Sequence, residues 1–324
     1  MGKTFYVICA VNMVASAFAI FLIFRSPPKA KAPRESVGMV APGVQAVAQP
    51  APDPEATWAE FEQATHLQTA AQIISKLPNY DSTISKVAAY VINNKAPTPE
   101  YDNFAQVARV AAGIQFLATY ISIESPYLVL LETIAKDHTR PVILRDLALR
   151  GVIDAALRKN AGKEGSENGW RAQLETFLTG SDFGAETSME GLALQAAIFA
   201  RNHDLISLDI NRLTKRVERV LRTPETVDES TLIAALEVCG LIPDANLAEV
   251  VRPILKHPRS DAVLQMAVAT LGKVGQAEDR DALARLRLTS PALYRTTETA
   301  WLTLNTRTQD VRLPPSPARF DQDH

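Results

Sequence analysis

The sequence predicts an all-α chain: an α–α superhelix of stacked helical hairpins behind a single N-terminal transmembrane helix. Three observations carry that prediction. First, apolar stripes at helical spacing recur in pairs between Asp228 and Asn305. Pro224, Pro258 and Pro291 each stand just ahead of a helix, 34 and 33 residues apart, and Leu241, Leu271 and Leu302 close three apolar helices at comparable intervals. Paired helices at such a period are the mark of a solenoid. Second, no strong alternation of apolar and polar residues runs between turn signals, which argues against a sheet. Third, Phe5 to Phe24 reads FYVICAVNMVASAFAIFLIF, twenty residues without a charge.

Residues 1–4 form a short leader carrying Lys3. Residues 5–24 follow as the anchor. At ~1.5 Å per residue the run spans about 30 Å, the thickness of a hydrocarbon core. A cleaved signal peptide is the rival reading; its apolar stretch is usually ~7–15 residues, ending in a small-residue cleavage site. This run ends in Phe-Leu-Ile-Phe-Arg, and the later Ala30-Lys31-Ala32 is followed by Pro33. An anchor that stays attached to the lipid bilayer is therefore expected. Arg25, Lys29, Lys31 and Arg34 after the span favour a cytoplasmic domain by the positive-inside rule. The short leader, spacer and folded domain favour export, and the reading leans to the extracytoplasmic, periplasmic side.

Residues 25–52 are rich in Pro, Ala and Val with no helical stripe, so a disordered tether is expected. Fully extended it reaches on the order of 90 Å. Asp53-Pro54 then opens the folded region, an N-cap followed by a first-turn proline. Residues 53–121 are expected to be an N-terminal helical cap. Trp58, Phe61, Ala64, Leu67, Ala71, Ile74 and Leu77 predict one helix reaching Leu77. A second is expected over Ser82–Asn93, and a third from Tyr101 to about Tyr120.

Residues 122–306 are expected to hold the repeats. The predicted pairs are 127–136 with 141–160, 170–179 with 188–201, 208–222 with 229–241, 244–256 with 260–274, and 279–288 with 292–305. The polar stretch GKEGSENG at 162–169 reads as an exposed loop. In VLQMAVATLGKVG, Gly272 and Gly275 are expected to close the helix that starts near Val263. Residues 307–324, with Pro314, Pro315 and Pro317, read as a frayed tail.

From His257 to Leu288 the chain resembles a HEAT-type repeat, through Asp261, Val263, Ala267, Thr270, Leu271-Gly272, Gly275, Ala282-Leu283 and Leu286. The family pattern usually places an Arg directly after the first Val; here Leu264 stands in that slot. Tyr294-Arg295 restores it in the next repeat, with Trp301-Leu302 closing the helix. Leu144-Arg145, Ala148 and Gly151-Val152 look like a further copy, and Pro253 matches the family's first-helix kink proline. The resemblance implies an armadillo-like helical fold and a loose function: most such proteins are scaffolds and a minority are enzymes, including lyases.

Composition narrows the function by exclusion. The net charge is −2, against a general nucleic-acid binder. Cys9 and Cys239 cannot build a disulfide framework, and each suits a small buried apolar position. The five histidines include no pair at i, i+3 or i, i+4 and no HExxH, so no metal site is expected. No Walker loop, GxGxxG or GxSxG is present; no catalytic residue and no cofactor is assigned. Lys215, Arg216, Arg219 and Arg222 form a basic strip interleaved with Glu218. It reads either as the solvated face of one helix or as a site for an acidic partner or anionic headgroups. The expected function is a membrane-tethered scaffold without chemistry of its own. It would hold a protein or peptide partner on its inner helices, with Gln265, Lys273 and Arg295 as candidate contacts. The alternatives are an enzyme or lyase on the same scaffold, and a structural subunit that associates with itself or with a larger membrane complex.

Overall fold

The computed structural model describes residues 53–78, 81–96, 103–161, 169–185, 187–242 and 246–308. The expected leader 1–4, anchor 5–24, tether 25–52, most of loop 162–169 and the tail from 309 onward lie outside those residues. Among the described residues there is no strand, and no helix is long and apolar enough to cross a membrane.

Fourteen α-helices make up the described residues. The first four are α1 (Pro54–Gln63), α2 (Leu67–Ile74), α3 (Asp81–Asn93) and α4 (Phe104–Tyr120). Next come α5 (Pro126–Lys136), α6 (Val142–Ala161), α7 (Gly169–Gly180) and α8 (Ser188–Asn202). The last six are α9 (Ile210–Arg222), α10 (Glu229–Cys239), α11 (Leu247–Lys256), α12 (Asp261–Val274), α13 (Arg280–Thr289) and α14 (Tyr294–Arg307).

Side-chain caps start several of them. Asp53 accepts from the Glu55 amide at 3.0 Å, Asp228 from those of Ser230 and Thr231, and Ser260 from that of Val263 at 3.2 Å. Each bond satisfies an amide that the helix geometry leaves without a partner.

The helices pack as successive hairpins, α3 with α4 through α13 with α14. The second helices form a continuous layer: α4 packs on α6, α6 on α8, α8 on α10, α10 on α12 and α12 on α14. In the layer of first helices, α7 packs on α9 and α9 on α11. This is a helical-repeat-like bundle, compatible with a solenoid. The hairpin of α3 and α4, within the region read as a cap, continues the same layout, while α1 and α2 cover its outer end. One cluster of buried apolar residues runs from Trp58 to Leu304.

Three local features depart from the expectation. The single helix expected up to Leu77 breaks between α1 and α2, where Ala64 and His66 are extended. The Ala64 carbonyl accepts from Arg109 Nη1 of α4 at 2.8 Å, so a tertiary partner satisfies the group that the break releases. Gly272 does not terminate α12, which continues to Val274. A Cβ on Gly272 would lie 2.6 Å from the Ala300 Cα, so this glycine lets α12 and α14 approach closely. Arg307, expected to open the tail, is the last residue of α14.

Candidate interaction surface

The second-helix layer presents a solvent face of mixed character. On α12, Gln265 and Lys273 are exposed two turns apart. The Lys273 stem passes close to Gly240 at the end of α10. On α10, exposed Glu237 accepts from Gln195 Nε2 of α8 at 2.9 Å. Leu241, just past α10, is 46 % exposed. On α6, Arg150 pairs with Asp146 at 2.9 Å. One turn further on, burial pushes the Asp154 carboxyl above its ordinary value, against the pull of Arg158 and Arg150. Arg295 is exposed at the start of α14.

The basic strip lies on α9, in the other layer, so the structure does not bring it together with Gln265 and Lys273. It is also not a single solvated face, because Arg216 is buried. Its guanidinium grips Glu190 of α8 with Nε–Oε1 at 2.6 Å and Nη2–Oε2 at 2.7 Å, and it donates to the Leu178 carbonyl. It also stands over the Phe183 ring. Glu190 is fully buried, and burial of a carboxylate requires such a partner. Lys215 and Arg219 remain outward, with Arg219 Nη2 3.5 Å from Glu190.

Arg216 belongs to a wider pattern. Arginines reach about one hairpin along the chain to backbone carbonyls: Arg140 to Val91 at 3.1 Å, Arg145 to Phe183 at 2.8 Å, and Arg259 to Pro224 at 3.0 Å. Arg171 does the same to Asp204. Charged donors on carbonyls beyond the regular helix bonds tie successive hairpins together from α3–α4 to α11–α12. The Val-Arg slot of the resemblance shows the same logic. Arg145 is buried, bridging Ala135 of its own hairpin at 3.0 Å and Phe183 ahead of the next second helix. Arg295 occupies the slot in the last described hairpin and is exposed. No further hairpin follows it among the described residues to supply a second carbonyl.

A shallow cleft of about 300 Å³ lies between the starts of α5 and α7, with Ile123, Pro126, Leu128, Val129 and Trp170 as its apolar walls. Gln173 at its edge donates to Glu132 at 3.0 Å. Burial raises the Glu132 carboxyl above its ordinary value, opposed by that hydrogen bond and by Lys136. Trp170 is half-buried and stacked by Arg171, whereas Trp301 is buried in its helix packing. Among the described residues no group of three or more His, Cys, Asp or Glu side chains could hold a metal ion. Cys239 is buried.

Sequence reasoning missed Glu190 and the arginine clasps. A usable signal was present: Glu190 sits between Met189 and Gly191, and Arg145 between Leu144 and Ala148, charges set within apolar stripes. No family model, curated protein or solved structure matches the chain.

Proposed function

We propose that the chain is a membrane-tethered scaffold of HEAT-like hairpins that holds a protein or peptide partner on its second-helix layer and has no catalytic activity of its own. The observation that carries this reading is that layer's solvent face. Glu237, Gln195, Gln265 and Lys273 offer hydrogen bonds and charge beside exposed Leu241, across three consecutive second helices and the turn after α10. Apolar side chains among polar groups on a rigid frame suit recognition of a folded or extended polypeptide. The uncharged run at 5–24 and the spacer at 25–52 support the tether, which would confine the binding face near a membrane and raise its effective concentration for partners there.

The test is crosslinking of the full chain in intact membranes, followed by mass spectrometry of the captured peptides. A recurrent partner joined to residues of α10, α12 or α14 is the expected result. Capture of unrelated neighbours spread over all surfaces would reject the scaffold reading.

A further inference from the structure

We propose that the outward face of α9 rests on the anionic headgroup layer of a membrane. This inference rests on the tethered reading above and assigns the tethered domain an orientation. The thirteen residues of α9 carry five basic side chains and one acidic one, Glu218. The apolar side of the helix, Leu213, Val217, Val220 and Leu221, is buried, and Arg216 is committed to Glu190. The charges left outward are Arg212, Lys215, Arg219 and Arg222, spread over about 15 Å of helix.

Local carboxylates compensate part of this row. Asp209 holds Arg212 at 3.3 Å, and Glu218 holds Arg222. Glu190, near Arg219, already has its charge met by Arg216. Lys215 forms no ion pair among the described residues. The uncompensated charge therefore sits at the middle of the helix, on Lys215 and Arg219.

Two features favour headgroups over an acidic protein. No apolar side chain of α9 is exposed, whereas the centre of a protein interface needs buried aromatic or aliphatic anchors. A headgroup layer needs positive charge alone, and each Lys or Arg near an anionic surface contributes about fivefold to binding. Such a contact is weak for a free protein but effective for one already confined by a tether. Because α9 lies in the first-helix layer, docking through it leaves Gln265 and Lys273 free for a partner.

The test uses the full chain carrying Cys9→Ala and Asn211→Cys, mixed with vesicles of phosphatidylcholine alone or of equal parts phosphatidylcholine and phosphatidylglycerol. Asn211 is exposed on α9 one turn before Lys215, so this variant keeps every charge of the row. A charged, membrane-impermeant maleimide reads access to position 211, and Gln265→Cys in place of Asn211→Cys is the control. Labelling at 211 is expected to slow about fivefold on the anionic vesicles, to recover at high salt, and to stay constant at 265. Equal labelling at 211 on both vesicle types overturns the proposal, as does slowing that persists on neutral vesicles. Flotation with the neutral vesicles reads the tether separately. A chain that floats there yet labels equally at 211 keeps its tether and loses the docked face. A chain that fails to float there but is protected on anionic vesicles loses the tether and keeps the face.

Discussion

At Glu190 and Arg216 one carboxylate and one guanidinium leave water together, and neither is tolerable there alone. Removing one partner of a buried pair costs about 3–5 kcal/mol because the other charge stays behind. Glu190→Gln is therefore expected to lower the unfolding free energy by about that much in urea denaturation. Lys215→Gln, on the exposed side of the same helix, should stay within about 0.5 kcal/mol of the parent. Glu132 behaves in the opposite sense. Burial raises its carboxyl above the ordinary value of 4.5, so its contribution to stability is present below the unfolded value and is lost as pH rises through the folded one. Glu132→Gln keeps a group able to bond Gln173 and removes the buried charge. The variant is expected to be at least as stable as the parent near neutral pH, with the advantage vanishing in acid. Urea titrations at neutral and acidic pH check this; an advantage that grows as pH falls would reverse the assignment.

Among the elements, α12 shows how packing overrides local preference. Glycine inside a helix costs about 0.5–1 kcal/mol relative to alanine, yet Gly272 sits where a Cβ would meet the Ala300 backbone at 2.6 Å. Gly272→Ala is expected to destabilise by about 1–3 kcal/mol, since the neighbour that must move is main chain. Gly180→Ala is the contrast: its Cβ would meet only the Thr176 Cγ2 at 3.9 Å, and a neutral or slightly stabilising effect is expected. Thermal melts of the two variants should shift in opposite directions or leave Gly180→Ala unmoved. The break between α1 and α2 follows the same principle. The apolar stripe from Trp58 to Leu77 is continuous in sequence, but Arg109 from α4 takes up the Ala64 carbonyl at the break.

For the whole folded unit, stability is expected to build up hairpin by hairpin, because each second helix packs mainly on its immediate neighbours in the layer. A chain ending at Gln276, without α13 and α14, should keep the helical circular dichroism of its remaining helices and unfold at lower urea. Removing α7 and α8 from the middle should cost far more, because Arg145 and Arg216 would lose their Phe183, Leu178 and Glu190 partners together. Equal losses from the two deletions would argue for one indivisible core.

The sequence by itself determined that the chain is helical, where most helices begin and end, and that they come in pairs. Those properties follow from apolar spacing, caps and prolines, which act over a few residues. The Asp53 cap with its first-turn proline Pro54 was legible for that reason, as was the exposure of Gln265, Lys273 and Arg295. The tertiary structure alone decided that Arg216 is buried while Lys215 is not, that Arg145 is a buried clasp, and that Gly272 serves packing instead of termination. Each of those outcomes depends on a partner roughly one hairpin away along the chain, and the energy of a charge or a missing Cβ is set by what that partner places beside it.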